Sequence, residues 1–366
     1  MGPKPNVVVV GVGLIGGSLG LALKRSGRVG VVRGVSRPQT LKEAEAVGAV
    51  DESYPYQKLQ GALQGADLLV LATPIKRILS LLEELGGLSL PAGLVVTDVG
   101  STKSLIVREA ERLLPPEVHF IGGHPMAGSE KRGVQAADPF LFQNAIYVLC
   151  PPERADPQVV EQLGDLLEST GARVFVMNPE DHDRTVAAVS HLPQFLAVAL
   201  VNFAAREGGP NALKLAAGGF RDMTRIASSP FSVWRDIVAT NESAIRDALR
   251  RFASEVANLA DDWKPERLGE FFDSAALIRS GIPQDSKGFL RPLAELLVVV
   301  EDKPGVIAKI ATALADRGIN IRDIEVLKVR EGEGGTLRLA FENEQLSEQA
   351  RLILTDLGFS VRHRQR

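Results

Sequence analysis

His124 is the residue best suited to proton transfer, because it lies in a Gly/Pro-rich segment directly after the short apolar run Val118–Ile121. An imidazole has an ordinary pKa of about 6.5 and can accept a proton near neutral pH. If the run is a strand of a parallel sheet, His124 follows its carboxyl end, where such folds bind ligands. This position favours a general base that takes a proton while a hydride leaves the same substrate.

A glycine pattern near the N-terminus carries the second chemical signal. It follows the apolar run Val7–Val10 and opens a segment of helical period, as in dinucleotide-binding folds. Free N–H groups at the start of that helix would face the phosphates. The expected cofactor residues of this turn are Gly11, Gly13, Leu14, Ile15 and Gly16. The alternative is a glycine-rich turn that binds nothing.

The end of the second predicted strand bears on the choice of coenzyme. An NAD site usually places Asp or Glu there, whereas this chain has Ser36 and Arg37. A guanidinium pairs well with a 2′-phosphate, which slightly favours NADP over NAD. A solvated surface role for Arg37 is the alternative.

Further polar residues follow the next two predicted strands and should lie at the same edge of the sheet. Thr73 and Pro74 follow one strand and are expected near the cofactor. Ser101 follows the other and could hydrogen-bond His124 or the cofactor, or cap a helix over Thr102–Leu113. Lys103 could attract anions.

These residues are positioned by an alternation of short apolar runs and amphipathic segments, which predicts a doubly wound, mainly parallel α/β sheet. The predicted strands are Val7–Val10, Val29–Val35, Leu68–Ala72, Leu94–Thr97, Val118–Ile121, Ala145–Leu149 and Val174–Met177. Helical stretches follow at Asp181–Glu207, Ala212–Ile226 and Ser229–Lys264. The C-terminal order of elements is β-α-β-β-α-β, which is ferredoxin-like. We therefore predict a dinucleotide-binding domain over 1–177, a helical domain over 178–284 and a ferredoxin-like domain over 290–366.

Composition narrows the function classes. The chain has 366 residues and a formal net charge of -3, which gives no reason to expect nucleic acid or membrane surfaces as partners. No secretory pattern and no stretch of membrane-spanning length is evident. The single cysteine, Cys150, cannot form an internal disulfide, which favours the cytoplasm.

Several motifs together resemble the prephenate/arogenate dehydrogenase family of tyrosine biosynthesis. Beside the glycine turn, they are Asp98–Lys103, Gly123–Glu130, Ser190–Pro193, Gly218–Ala227 and Trp234–Ile237 with Asn241. The tail, with Glu301–Val306 and Gly318–Asn320, resembles an ACT regulatory domain. The resemblance implies a Rossmann domain followed by an all-helical dimerisation domain, and hence a homodimer.

The implied reaction is the oxidative decarboxylation of prephenate to 4-hydroxyphenylpyruvate with NAD(P). In the family pattern His124 is the base and Ser101 orients it. Arg225 binds a substrate carboxylate, with Arg221 one helical turn earlier as its helper, and His191 lines the site. No metal is implied.

The chain departs from the family pattern at Gln194, where many relatives carry a second histidine that contacts substrate. Gln194 can still donate a hydrogen bond to substrate but cannot become cationic. This keeps arogenate dehydrogenase, which would use NADP and form tyrosine directly, as the alternative. A hydroxyacid or phosphogluconate type of dehydrogenase would rely on a lysine of the helical domain, and an amino-acid sensor would make no use of His124.

The ACT resemblance implies an amino-acid effector near Asp302, Gly305 and Asn320. Tyrosine, the end product of the pathway, is the expected inhibitor, and phenylalanine or another amino acid is possible. The alternative is a domain that only dimerises.

Overall fold

The structure is a computed structural model that describes residues 4–128, 131–281, 293–301, 303–330 and 334–363. The chain divides into two compact units, Met1–Asp262 and Trp263–Arg366. The first unit contains both the predicted dinucleotide-binding part and most of the predicted helical part. The boundaries of the three sequence domains stay a prediction.

An eight-stranded sheet in the order β3-β2-β1-β4-β5-β6-β7-β8 forms the centre of the first unit. Its strands are β1 Val7–Val10, β2 Val32–Ser36, β3 Glu52–Pro55, β4 Leu68–Leu71, β5 Val95–Asp98, β6 His119–Pro125, β7 Ile146–Cys150 and β8 Arg173–Val176. All neighbours pair in parallel except β6 and β7. The predicted doubly wound sheet is confirmed. Sequence reasoning missed β3, an edge strand with no apolar run.

Helices cover both faces of this sheet. They are α1 Leu14–Ser26, α2 Pro38–Ala46, α3 Leu59–Ala62, α4 Ile75–Gly86, α5 Ser104–Leu113 and α6 Pro157–Glu168. All four residues of β1 are buried, with Val8 and Val10 in one core cluster and Val7 and Val9 in the other. A strand buried on both faces is apolar throughout, which is why the run of valines marks the middle of the sheet.

The helical part of the first unit begins at Asn178, whose side chain accepts hydrogen bonds from the N–H groups of Glu180 and Asp181. Its helices are α7 Pro179–Val186, α8 Leu192–Glu207, α9 Gly209–Ala212, α10 Gly218–Thr224, α11 Phe231–Thr240 and α12 Glu242–Asp261. A π-helical turn, Ala187–His191, joins α7 to α8. The helical stretch predicted over Ser229–Lys264 contains two helices, α11 and α12, that meet at Asn241.

One described stretch, Pro179–Glu207, is long and apolar enough to cross a membrane by length and composition, with 28% of its most apolar window buried. The expectation that no stretch reaches this length was therefore wrong. His182, His191 and Gln194 on this stretch are all buried and hydrogen-bonded within the protein. Internal partners for its polar groups are typical of a core helix in a folded domain.

The second unit contains a helix, α13 Pro265–Ser280, and a four-stranded antiparallel sheet in the order β10-β11-β9-β12. The sheet strands are β9 Ala294–Val300, β10 Asp323–Arg330, β11 Gly334–Phe341 and β12 Ser360–His363, and its helices are α14 Val306–Ala315 and α15 Glu344–Asp356. The order of elements along the chain matches the predicted ferredoxin-like pattern. Leu296, Leu337 and Ile310 belong to the apolar core between the sheet and its helices.

Candidate active site

The turn between β1 and α1 has the shape that a dinucleotide requires. Gly11 has φ +95°, and a Cβ there would lie 2.5 Å from the carbonyl oxygen of Ala72. A Cβ on Gly16 would lie 2.3 Å from the carbonyl oxygen of Gly11, so α1 packs against the turn only because Gly16 has no side chain. A Cβ on Gly13 would meet nothing within 4 Å. The turn is thus closely packed at Gly11 and Gly16 and has open space beside Gly13, which fits a pyrophosphate at the start of α1.

The neighbouring strand ends also fit a dinucleotide. Leu14 and Ile15 begin α1, and Pro74 precedes α4 as its N-terminal cap residue. The Thr73 hydroxyl oxygen is buried without a hydrogen-bond partner among the described residues. A buried hydroxyl of this kind is expected to gain a partner when a polar ligand binds.

The structure at the end of β2 does not change the slight preference for NADP that the sequence suggested. Ser36 is buried, and Arg37 is exposed at the N-terminal cap of α2. No carboxylate stands at these two positions to accept a bond from a ribose 2′-hydroxyl.

His124 lies within a strand, not in the loop that the sequence suggested. β6 pairs in parallel with β5 as far as Ile121 and then pairs antiparallel with β7, with His124 opposite Val148. Gly122 and Gly123 make this change of partner possible. A Cβ on Gly123 would lie 2.4 Å from the carbonyl oxygen of Asp98. His124 is consequently held by main-chain pairing on a rigid element.

A buried ion pair supports the strand next to His124. The ammonium of Lys103 contacts the Asp98 carboxylate and donates a 2.7 Å hydrogen bond to the Gly123 carbonyl oxygen. The carboxylate also accepts N–H bonds from Gly100 and Gly123. Both charged side chains are fully buried. The expectation that Lys103 attracts anions was wrong, because its charge is already paired inside the protein.

A second histidine stands directly behind His124. Nδ1 of His124 lies 2.8 Å from Nε2 of His182, and Nδ1 of His182 lies 2.8 Å from Oδ1 of Asp183. His182 is fully buried and Asp183 is 4% exposed. We call these three residues the His–His–Asp chain.

Asp183 also joins the helical part to the sheet. Its carboxylate accepts hydrogen bonds from the N–H groups of Lys103 and Ser104 at 2.7 and 2.9 Å, at the start of α5. Helix starts favour negative charge. Burial alone would raise the pKa of Asp183, but the bonds from His182, Lys103 and Ser104 outweigh it and hold the pKa below its ordinary value.

Two of the three roles expected of Ser101, the helix cap and the hydrogen bond to His124, are not seen in the described residues. The helix starts at Ser104 with its first N–H groups bonded to Asp183, so Ser101 is not its cap. No hydrogen bond joins Ser101 to His124 within the described residues. Nδ1 of His124 is already engaged in its hydrogen bond to His182. Ser101 remains a candidate for contact with cofactor or substrate from the loop after β5.

With both rings neutral, the hydrogen bonds of the His–His–Asp chain define where the protons lie. Because the Asp183 carboxylate only accepts, Nδ1 of His182 carries a hydrogen and Nε2 of His182 is an acceptor. Nδ1 of His124 therefore donates to it, which leaves Nε2 of His124 as a free base. Burial lowers the pKa of His124 well below its ordinary value, and the nearby His182, Lys103 and His191 lower it further. His124 is thus neutral near pH 7.

His191 belongs to a polar core under the π-helical turn. Its Nδ1 lies 3.3 Å from Nδ2 of Asn241, which also donates a 2.8 Å bond to the Asp183 carbonyl oxygen. The Trp234 ring packs edge-on against the imidazole with centroids 5.8 Å apart. Burial lowers the pKa of His191 to about 4. His191 therefore has a structural role in this core, and contact with substrate stays a prediction.

Of the two predicted substrate arginines, Arg221 lies in α10, and Arg225 begins the short helical turn that follows and is anchored to α8. Gln194 is buried and donates a 3.1 Å bond to the Ile226 carbonyl oxygen, next to Arg225. Arg225 is exposed and has no ion pair within the described residues. Arg221, also exposed, donates to the Ala216 carbonyl oxygen. The amide of Gln194 thus positions the turn that carries Arg225, and direct contact of Gln194 with substrate stays a prediction.

The predicted effector residues belong to the second unit. Gly305 has φ +89° and caps the start of α14, and Asn320 is exposed in the loop before β10. Asp302 lies outside the described residues. Effector binding at this loop stays a prediction.

Sequence reasoning missed His182 and Asp183, which complete the candidate active site. The available signal was a His-Asp pair that begins four residues after the helix cap Asn178, which follows the last strand of the large sheet. Their distance from His124 along the chain hid the contact, because only the fold brings β6 and α7 together.

Comparisons with known proteins show which family the chain belongs to. Residues 19–176 match the profile of the prephenate dehydrogenase nucleotide-binding domain, and 178–274 match that of the prephenate dehydrogenase dimerization domain. Residues 294–352 match the ACT domain. Prephenate dehydrogenase of Bacillus subtilis (strain 168) is 37% identical over 355 residues, covering 95% of each chain. This chain belongs to the prephenate dehydrogenase family.

Solved structures named for the same family superpose on three quarters of this chain. The crystal structure of prephenate dehydrogenase from A. aeolicus with hydroxyphenyl propionate and NAD+ superposes with a TM-score of 0.69 at 32% identity. It covers 75% of this chain and 97% of that one. Synechocystis arogenate dehydrogenase has a TM-score of 0.67 at 34% identity, covering 75% and 99%. Family membership thus rests on sequence and on fold together.

Proposed function

We propose that this protein is a prephenate dehydrogenase, which oxidises and decarboxylates prephenate to 4-hydroxyphenylpyruvate with NAD(P). The observation that carries the proposal is the free Nε2 of His124. The His–His–Asp chain holds this imidazole at the edge of the sheet where the dinucleotide turn also lies. Relatives named for this activity match the chain over nearly its full length.

His124 supplies the base that the reaction needs. The ring carbon of prephenate that bears the hydroxyl gains positive character as its hydride departs, and loss of the hydroxyl proton to Nε2 of His124 relieves it. When bound, the nicotinamide accepts that hydride. Loss of carbon dioxide then makes the ring aromatic and needs little help from side chains.

A substrate with two carboxylates also needs cations. Arg225 is suited to this task because its guanidinium is exposed and can bind a carboxylate through two hydrogen bonds. Arg221 is the second candidate, one helical turn earlier. Their contribution to the reaction is orientation of the substrate.

Arogenate dehydrogenase is the second candidate function, favoured by the Synechocystis relative and by the uncharged Gln194. Prephenate and arogenate differ only at the side chain, which carries a keto group in one and an ammonium in the other. The absence of a carboxylate at Ser36 and Arg37 slightly favours NADP.

A kinetic matrix tests both candidates. Purified protein is assayed with prephenate and with arogenate, each with NAD and with NADP, by following reduced coenzyme. We expect the highest kcat/KM with prephenate. A clear preference for arogenate would replace the proposal by its alternative, and no turnover with either substrate would refute both.

The family match also assigns a dimerisation domain and an ACT domain. We propose a homodimer whose ACT domain binds tyrosine near Asp302, Gly305 and Asn320 and lowers activity. Coupling of this kind is worth about 1–3 kcal/mol, or roughly 5–150-fold in affinity. Calorimetry on the full chain with tyrosine or phenylalanine tests it, with Asn320→Ala expected to weaken the heat signal. No heat with either amino acid would leave the domain only a dimerising role.

We also infer that the protein works in the cytoplasm. Its single cysteine, Cys150, is free and buried, as suits a reducing compartment.

A further inference from the structure

We propose that His182 is a second proton acceptor of this site. When Nε2 of His124 takes the substrate hydroxyl proton, Nδ1 of His124 passes its own proton to Nε2 of His182. The positive charge then lies beside Asp183. This inference rests on the proposed function, and it adds a proton relay to the single base that the reaction requires.

The geometry of the two rings suits transfer and not stacking. Their centroids lie 5.1 Å apart and their planes meet at 72°, so the nitrogen atoms face each other across 2.8 Å. His182 has a carboxylate on its far nitrogen, also at 2.8 Å. Proteins stabilise an imidazolium by placing a carboxylate on its far nitrogen, as Asp183 is placed on His182.

Asp183 is built to remain ionised. Two main-chain N–H groups at the start of α5 hold its oxygens in place while His182 donates from the other side. A buried carboxylate with these partners has little tendency to protonate. It therefore stabilises a charged His182 without taking the proton itself.

The surrounding charges favour moving the proton off His124. Lys103 and His191 are the further basic groups that act on His124, and Asp98 is already paired with Lys103. A positive charge left on His124 would be buried without a carboxylate of its own. Transfer to His182 puts that charge within hydrogen-bond distance of Asp183, where attraction at short range in a buried site is strong.

The step balances with what the reaction already contains. One substrate O–H bond breaks and one N–H bond forms at Nε2 of His124. One N–H bond breaks at Nδ1 of His124 and one forms at Nε2 of His182. The substrate hydride would be accepted by the bound coenzyme. Since His182 is fully buried and His124 only partly so, the proton returns through His124 to water after the product leaves.

The decisive variant is His182→Gln. The Gln amide oxygen can still accept the bond from Nδ1 of His124 and so keep the ring in place, but it cannot take up a proton. We expect kcat to fall by about 10-fold or more with the coenzyme KM unchanged. Rates in H₂O/D₂O mixtures should follow a curve for the wild type, since two protons move, and a straight line for His182→Gln.

The matched control is His119→Gln, the same exchange at the first residue of β6, the strand that carries His124. It should retain wild-type kcat. A His182→Gln variant with wild-type kcat and pH profile, or a straight-line D₂O dependence in the wild type, overturns the relay alone. Wild-type protein that turns over neither substrate overturns the proposed function and the relay with it.

Nitrogen NMR on histidine-labelled wild type adds a test that needs no turnover and no altered side chain. The neutral rings of His124 and His182 should both carry hydrogen on Nδ1. Hydrogen on Nε2 of His182 would contradict the relay, because that nitrogen could then accept nothing.

Discussion

The imidazole of His124 acts as a base because of what lies behind it. His182 and Asp183 fix its Nδ1 as a donor, and burial beside Lys103 keeps it neutral. Sequence reasoning identified His124 from its place after an apolar run. It gave the supporting role to Ser101 because the family pattern has a serine there, and no local pattern connects His124 with His182.

Removal of the base should abolish catalysis without loss of the coenzyme. We expect His124→Ala to lower kcat by about 10²–10⁴-fold, since general base catalysis contributes that much. The dissociation constant of NAD(P), measured by fluorescence titration, should stay near wild type because the glycine turn is untouched. Near-normal turnover would remove the role assigned to His124.

Arg225 should affect binding more than chemistry. We expect Arg225→Ala chiefly to raise the KM for prephenate, because a carboxylate contact is made in the ground state as well as in the transition state. Arg221→Ala, one helical turn away, is the matched comparison and should have the smaller effect. An unchanged KM in Arg225→Ala would exclude the contact.

His191 should make stability depend on pH in mild acid. Its pKa in the folded protein is about 4, below the value of about 6.5 for an unfolded chain. Between these values the unfolded chain binds the extra proton, so stability is complete above pH ~6.5 and falls as pH drops toward 4. The loss from this group is at most about 3 kcal/mol. His191→Gln should flatten this part of the curve in urea unfolding, and an unchanged slope would show that the group does not carry it.

At the scale of elements, β6 decides the geometry of the site. It leaves β5 after Ile121 and pairs antiparallel with β7, which turns an expected loop into a strand. The apolar run predicted the first half of β6 well. The second half, with Gly122 and Gly123, has no strand signal because glycine is needed there for close passage of Asp98 and Tyr147.

The ion pair beneath β6 should be costly to break. Lys103→Met leaves the buried Asp98 carboxylate without its cation, and loss of one partner of a buried pair costs about 3–5 kcal/mol. The double variant Asp98→Asn with Lys103→Met should recover part of the loss, since it leaves no buried charge unpaired. Thermal unfolding measures both. Equal stability of Lys103→Met and wild type would show that the pair contributes little.

For the whole molecule, the architecture was readable from the sequence to a large extent. The alternation of apolar runs and helical segments predicts the parallel α/β sheet and the ferredoxin-like order of elements, and the glycine pattern marks the cofactor turn. It does not reveal β3 or the antiparallel pairing of β6 with β7. The contacts between α7 and α5 were not readable, because they depend on packing between segments some 80 residues apart, as for Lys103 and Asp183. Local patterns carry no information about such pairs.

The assembly should depend on apolar side chains that a single chain leaves exposed on α8. Val198 and Phe203 are 37% and 55% exposed in the single chain, and both lie in the segment that matches the dimerization domain. We expect Phe203→Glu to shift the protein from dimer to monomer in analytical ultracentrifugation, because a buried charge would replace an apolar contact. Lys42→Glu, on the surface of α2, serves as the control. A dimer of unchanged strength in Phe203→Glu would place the interface elsewhere.

The double duty of Asp183 limits how this protein can be cut or recombined. One carboxylate from the helical part both closes the start of α5 and holds the imidazole behind His124. A fragment ending at Met177 would lose both at once, so it could retain a coenzyme pocket and still lack a competent base. Exchange of halves between relatives should therefore yield active hybrids only when the incoming helical half brings a His-Asp pair that fits the resident strand.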